Sequence, residues 1–166
     1  MIRSIAAVLL VSSALTMSAA EAKWLFNLPE AQAIAKKENK LVLMDFTGSD
    51  WCGWCIKLRK EVFLTPEFNA YARSNLVLVE IDQPRYKPLS PEMLETNTKL
   101  QEKYGANGFP TLVLLSSTGQ EVWRLGGYAD LPVAQWATMF DSFKKGLPTT
   151  PPPIGTVTQP PAQAQK

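Results

Sequence analysis

The chain has 166 residues, 46% of them hydrophobic and 19% charged, a size that suits one compact domain with a buried core. Its formal net charge is only +2, from 17 basic and 15 acidic residues, and no basic stripe is visible, which argues against nucleic-acid binding. The sequence contains no histidine, so the Ser–His and Cys–His nucleophile pairs and the commonest metal ligand are excluded.

The N-terminal residues 1–22 have the features of a signal peptide. Arg3 supplies the positive region, an apolar stretch follows over Ile5 to Leu15, and the small residues of Ala20-Glu21-Ala22 predict cleavage after Ala22. The apolar stretch is shorter than the roughly 20 residues that a spanning helix needs, which disfavours an uncleaved anchor. We therefore expect a periplasmic or secreted protein with no stable membrane insertion after cleavage, and thiols in an oxidising compartment.

Helix-like and strand-like patterns alternate over residues 23–146, which are expected to form one domain. Helices are predicted at 29–38, 52–64, 65–73, 93–104 and 131–145, and strands at 41–44, 76–81, 111–115 and 121–125. The turn at 117–120 predicts an antiparallel hairpin of the last two strands. The fold class is therefore α/β, a mixed sheet with helices on both sides. Residues 147–166 are rich in proline and offer little to bury, which predicts a disordered tail.

The two cysteines, Cys52 and Cys55, lie three residues apart at the start of a predicted helix. At that spacing the Cβ atoms are about 5 to 6 Å apart, so the sulfurs reach bonding range with modest adjustment. The positive end of the helix dipole favours Cys52 as the nucleophilic thiolate, while Cys55 is expected one turn deeper. We expect Cys52 to attack a disulfide and Cys55 to resolve the intermediate. Asp50 or Ser49 is the expected N-cap, and a capping carboxylate would compete with the thiolate.

Other roles for the cysteine pair fit less well. A structural disulfide across so small a ring gains only about 2 kcal/mol in the loop-entropy model. A zinc site needs about four ligands, and covalent haem attachment needs a histidine where this chain has Ile56. No metal or cofactor is therefore expected. The open alternative is a binding or chaperone-like module in which the disulfide is a passive staple.

In these features the chain resembles thioredoxin, and more closely the secreted thioredoxin-like proteins with the motif Gly-Ser-Asp-Trp-Cys-Gly-Trp-Cys. The resemblance covers most of residues 24–146, and four stretches carry it: 43–46, 51–55, 81–83, and 103–105 leading into 108–111. It implies a thioredoxin fold with a central mixed sheet of four to five strands. It also implies exchange with protein thiols and disulfides, as a reductase or isomerase rather than an oxidase, served by a membrane or periplasmic redox partner. The oligomeric state is not predicted.

The same resemblance assigns roles to residues outside the motif. It implies a cis peptide bond between Phe109 and Pro110, in a loop that binds extended substrate segments through its backbone, with Thr111 following. A trans proline that opens a strand is the alternative. Asp45 matches the buried carboxylate that relays protons to and from Cys55, and its raised pKa would suit an acid or base. The alternative is an aspartate bonded to backbone near a strand end.

The tryptophans of the motif and one long connection depart from thioredoxin or have two interpretations. Trp51 and Trp54 either form an apolar collar for substrate segments or pack on the domain itself. Trp54 stands where thioredoxin has proline, which is expected to change the redox poise. The connection from Pro84 to Glu102 is longer than in thioredoxin, and its residues 85–87 either contact a partner or form a solvated loop.

Overall fold

The computed structural model describes residues 21–146, so most of the predicted signal peptide and the whole predicted tail lie outside the described residues. The chain forms, in order, β1 (Trp24–Leu25), α1 (Leu28–Glu38), β2 (Leu41–Thr47), α2 (Gly53–Leu58), a π-helical turn (Arg59–Phe63), α3 (Pro66–Asn75), β3 (Leu76–Asp82), α4 (Pro91–Lys103), β4 (Thr111–Leu115), β5 (Glu121–Gly126) and α5 (Val133–Lys144). Within this part of the chain, none of the helices is long and apolar enough to cross a bilayer.

The five strands form one sheet in the order β1-β3-β2-β4-β5. β3 runs parallel to both β1 and β2, whereas β4 is antiparallel to β2 and to β5. The predicted mixed sheet and the predicted β4–β5 hairpin are therefore confirmed. Because β2 is central, whatever follows its carboxyl end lies at the middle of one edge of the sheet.

Three helices begin where the sequence carries local start signals. The side chains of Asn27, Thr65 and Ser90 each accept a hydrogen bond from the backbone N–H three residues later, and each is followed by a proline in the first turn. A side-chain oxygen at this position satisfies one of the otherwise unpaired N–H groups of the first turn. Proline has no N–H to lose there. These signals explain why α1, α3 and α4 begin within about two residues of the prediction.

The sequence patterns miss two parts of the sheet, the short strand β1 and the polar end of β2. β1 has only two residues, too few for a period, and it forms through pairing with Leu78 and Val79 of β3. β2 continues beyond Met44, where the apolar run ends, because Asp45 and Thr47 are also buried and paired with β3. The predicted helix over 52–64 is likewise divided, since the α-helical pattern ends at Leu58 and a π-helical turn follows.

Alternate residues of β2, β3 and β4 face opposite cores, as expected for a pleated sheet. On β2, Val42, Met44 and Phe46 pack in the core beneath α1. Leu41 and Leu43 pack in the other core, which includes residues of α2, α3 and α5. Asp45 continues the second set by alternation, so its side chain lies on the face of the sheet that α2 covers.

Candidate active site

The two cysteines form a disulfide at the N-terminus of α2, immediately after the turn that follows β2. Their Cα atoms are 5.2 Å apart, and Cys52 keeps an extended backbone conformation while the helix begins at Gly53. The backbone N–H of Cys55 donates to Sγ of Cys52 at 3.2 Å. The structure therefore brings the pair together where the spacing predicts, with a helix-end donor aimed at the first sulfur.

The prediction that Asp50 or Ser49 caps α2 is wrong, because Cys52 itself is the N-cap. Asp50 instead accepts three backbone N–H groups from residues 85–87, at 3.0, 2.8 and 2.8 Å. Ser49 donates its hydroxyl and its backbone N–H to Asp82. Desolvation raises the pKa of the Asp50 carboxyl, but the three backbone donors and a nearby lysine outweigh it and lower that pKa. Asp50 therefore leaves the donors of the helix N-terminus to Cys52.

Access to the two sulfurs differs less than the sequence predicts. In the disulfide form Cys52 is 6% exposed and Cys55 is 4% exposed, so both are buried. The difference between them lies in the hydrogen bond, since the first-turn N–H of Cys55 points at Sγ of Cys52. A donor and a helix dipole at that sulfur favour its anionic form. The predicted roles of attacking and resolving cysteine thus rest on electrostatics more than on exposure.

The loop before β4 contains a cis peptide bond between Phe109 and Pro110. It is fixed on both sides. The hydroxyl of Thr111 donates to the carbonyl of Gly108 at 2.7 Å, and the N–H of Gly127 donates to the carbonyl of Pro110 at 2.8 Å. Pro110 and Thr111 are both buried, while Phe109 keeps part of its surface exposed.

Trp51 connects the cysteine motif to this loop and packs on the domain itself. Its ring meets that of Phe109 edge to face, with 5.6 Å between centroids. Its indole N–H donates to the carbonyl of Gln83 at 2.8 Å, and the guanidinium of Arg85 lies 3.9 Å from the ring centroid. The ring also lies against Gly48, where an added Cβ would come within 2.5 Å of it.

Trp54 also packs on the domain. It stacks on the ring of Tyr128 with 5.7 Å between centroids and 20° between planes. The Tyr128 hydroxyl donates to the Glu61 carboxylate, and Lys57 lies over the same ring at 5.2 Å. Both tryptophans are only partly buried, and each directly precedes one of the two cysteines in the sequence.

Asp45 is buried under α2 and lies in the middle of β2, paired with Glu80 of β3. Its Oδ1 has no hydrogen-bond partner within residues 21–146, which disfavours an aspartate held by backbone. Burial raises the pKa of Asp45 to about 8, with the charges of Glu80 and Asp82 adding to the effect and that of Arg59 opposing it. This carboxyl can therefore hold or release a proton near neutral pH.

An ion pair beside Asp45 was not predicted from the sequence. Arg59, on the π-helical turn, contacts Glu80 at 2.9 Å. Burial and the charge of Asp82 raise the pKa of Glu80, and Arg59 opposes that shift. The partners are 21 residues apart in the chain, and they meet because the π-helical turn that follows α2 packs against the sheet. Within residues 21–146, no three cysteine, aspartate or glutamate side chains are arranged to hold a metal ion.

Comparisons with known proteins agree with this architecture. The family model described as a thioredoxin-like domain matches residues 28–144. The disulfide bond reductase DsbH of Chlamydia pneumoniae is 34% identical over 110 residues, which are 66% of this chain and 66% of that protein. The thioredoxin-related protein DsbJ of the same organism is 32% identical over 135 residues, 78% of this chain and 39% of that protein. The match thus spans less than two thirds of the length of either relative.

Solved structures confirm the thioredoxin fold. The structure of a DsbH oxidoreductase superposes with a TM-score of 0.71 at 29% identity, covering 84% of this chain and 95% of that one. A thioredoxin from Thermus thermophilus superposes with a TM-score of 0.55 at 21% identity, covering 75% of this chain and 88% of that one. The second likeness concerns the fold alone.

Proposed function

This chain belongs to the thioredoxin-like family, and on that premise we propose that it is an exported thiol–disulfide oxidoreductase that reduces or isomerises protein disulfides. The observation that carries the proposal is the Cys52–Cys55 disulfide at the start of α2, with the Cys55 N–H directed at the Cys52 sulfur. The loop at Pro110 supports it, since Trp51 joins that loop to the motif through Phe109. The printed name of one relative, a disulfide bond reductase, supports the direction.

The exchange starts from the reduced pair. The Cys52 thiolate attacks a substrate disulfide, a bond forms between Cys52 and one substrate sulfur, and the other substrate sulfur leaves as a thiolate. Cys55 gives its proton to Asp45 in its ionised form and attacks Cys52, which closes the protein disulfide and releases the second substrate thiolate. The proton passes from Asp45 to a departing sulfur. Two electrons move from the protein dithiol to the substrate, so a dithiol partner must reduce the pair again.

The loop at Pro110 supplies the surface for the substrate chain in this proposal. Phe109, Pro110 and Thr111 lie on it, and its backbone would bind an extended segment next to the sulfurs. The partly buried rings of Trp51 and Trp54 flank that segment and exclude water from the exchanging sulfurs. Substrates are therefore proteins or peptides with accessible cystines.

Catalysed reduction of insulin by dithiothreitol tests the activity. The wild-type chain should accelerate precipitation of the released insulin chain, whereas Cys52→Ser should not, with circular dichroism showing that the variant is folded. Equal acceleration by both proteins would contradict the mechanism and favour a binding module with a passive disulfide.

Export is also part of the proposal and is supported by the N-terminal sequence pattern. A membrane or periplasmic redox partner is proposed because the cysteine pair must be reduced again after each exchange. We expect the mature chain to begin at Lys23 and to be found outside the cytoplasm. Cleavage after Ala22 would remove a buried residue whose N–H donates to Asn69 at 2.6 Å. The intact mass of the exported protein determines the cleavage position. A full-length chain found in the cytoplasm would contradict the proposal of export.

A further inference from the structure

The segment from Gln83 to Lys87, called here the 83–87 segment, is fixed against the cysteine motif. Both oxygens of Asp50 are used: Oδ1 accepts the N–H of Arg85 at 3.0 Å, and Oδ2 accepts those of Tyr86 and Lys87 at 2.8 Å each. These bonds join residues 35 to 37 positions apart in the chain. Because every donor to Asp50 is a backbone group, these three bonds do not depend on the identity of the segment's side chains.

The 83–87 segment continues the surface that includes the cis-proline loop. Gln83 accepts the indole N–H of Trp51 at 2.8 Å, and Arg85 covers the face of that ring at 3.9 Å. The edge contact of Trp51 with Phe109 leads to Pro110. The segment, Trp51 and the loop thus form one wall beside the disulfide.

The outer side of this wall is exposed and carries positive charge. Tyr86 is 79% exposed, and Arg85 and Lys87 are also exposed. Asp50 accepts its hydrogen bonds from the segment's backbone and Asp82 from Ser49, while Lys87 Nζ lies 3.3 Å from the Ser49 hydroxyl. An arginine and a lysine are suited to carboxylates, and because their backbone is already fixed, ordering of the backbone adds no cost when they bind.

We propose that the 83–87 segment is a specificity surface that selects substrate segments with acidic side chains next to the reactive cystine. The cis-proline loop would hold the backbone of the segment, and Arg85 and Lys87 would meet its carboxylates. Charge complementarity of this kind raises the rate of encounter and fixes register. The inference rests on the proposed function, because it names the class of segment which that exchange acts on.

Two cystine-linked fluorogenic peptides that differ only in glutamate or lysine beside the cystine test the inference. Stopped-flow mixing with pre-reduced protein gives the second-order rate for each, so no other reductant is needed. We expect the wild-type chain to reduce the glutamate peptide about tenfold faster at low salt, with the ratio falling as salt is added. Arg85→Gln/Lys87→Gln should bring the ratio close to one, because both cations are removed. The segment should keep its position, because its backbone bonds to Asp50 are retained.

The matched control is Lys36→Gln/Lys37→Gln, which changes the total charge equally. These lysines are in the last turn of α1, before β2 begins, whereas Cys52 follows its other end. A seven-residue strand spans about 20 Å, so the control charges are remote from the disulfide. We expect this variant to keep the wild-type ratio. A loss of preference as large as that of the other double variant would overturn the inference.

Two further variants, Asp50→Ala and Asp50→Asn, remove the same negative charge beside the cations, but only asparagine keeps a side-chain oxygen that can accept the segment's N–H groups. The rate ratio should be lower for Asp50→Ala than for Asp50→Asn. Equal ratios in these two variants, or equal rates for both peptides with the wild-type chain, would overturn the inference and leave the proposed function in place. Failure to reduce either peptide would overturn the proposed function and the inference with it.

Discussion

Asp45 is the buried ionisable residue on which the second half of the proposed exchange depends. Its pKa is raised to about 8, first by burial and then by the charges of Glu80 and Asp82, with Arg59 acting against them. Such a carboxyl is neutral at pH 7 and can receive a proton only after it has lost its own. We therefore expect the resolving step to become faster as pH rises through the neutral range.

Replacement of Asp45 by asparagine tests this assignment through stability. The folded protein binds the Asp45 proton more tightly than the unfolded chain, where the pKa is near 3.8, so wild-type stability falls as pH rises from about 4 to about 8. Asp45→Asn has no such proton. We expect its free energy of unfolding in urea to exceed that of the wild type increasingly over this range. A pH-independent difference between the two proteins would contradict the buried, protonated carboxyl.

The resemblance to thioredoxin was enough to single out Asp45 from the sequence, because the residue follows an apolar run and matches a motif. The neighbouring Arg59–Glu80 pair was not predictable in this way. Its partners lie on separate elements, and neither residue type is unusual for an exposed position. Residue-level patterns therefore located the buried carboxyl but not the neighbouring charges that add to or oppose the effect of burial on its pKa.

The turn between β2 and α2 positions the cysteines, and Gly48 is the residue on which its close packing depends. An added Cβ would lie 2.5 Å from Trp51 Cε2. The indole is held by Gln83 and Phe109, so it has little freedom to move away. The shape of this turn is thus set by contact between a small residue and a large ring.

We expect Gly48→Ala to destabilise the domain by about 1 to 3 kcal/mol, the usual cost of overpacking, measured by urea denaturation. Gly53→Ala is the matched control, because a Cβ at that position meets nothing within 4 Å and alanine is favoured in a helix. It should be neutral or slightly stabilising. Equal losses for both substitutions would show that contact with Trp51 is not the reason Gly48 is required.

Elements with a local signal in the sequence were predicted, whereas β1 and the last three residues of β2 were not. α3 begins at its Thr65 cap as the sequence indicates, since the signal lies within three residues. β1 forms only because it can pair with β3, and Asp45 and Thr47 belong to β2 because both pair with β3. The capping role expected of Asp50 failed for the same reason, because its partners lie in a distant loop.

At the scale of the whole molecule, the direction of exchange is linked to the stability of the two redox forms. A pair that reduces substrates has a low reduction potential, about −270 mV for thioredoxin against about −120 mV for a strong oxidant whose reduced form is stabilised. In a thermodynamic cycle, a low potential corresponds to a folded state that favours the disulfide. A reductase is therefore expected to be more stable when oxidised.

We expect the oxidised chain to have the higher urea midpoint when it is compared with the same protein after reduction. The measurement uses tryptophan fluorescence at constant pH, with alkylated unfolded standards confirming the redox state. A reduced form more stable than the oxidised form would instead assign the chain to oxidation and would contradict the proposed direction.

The cysteine pair itself was predictable because its chemistry depends on two residues of one helix turn. The wall formed by the 83–87 segment was not, because it joins three parts of the chain through Asp50, Trp51 and Phe109. The sequence left that connection open between a partner contact and a solvated loop. In the structure, bonds to Asp50 hold this segment beside the cysteine motif.

Mixed-disulfide trapping by Cys55→Ser is the most direct test of the central claim, that Cys52 begins an exchange which Cys55 completes. The variant, reduced and mixed with a disulfide-bonded protein, should form a covalent adduct that migrates as the sum of both chains and is released by dithiothreitol. Mass spectrometry should place the link at Cys52, and Cys52→Ser/Cys55→Ser should form none. A folded Cys55→Ser protein that forms no adduct, or an adduct equally abundant in the double variant, would contradict the account.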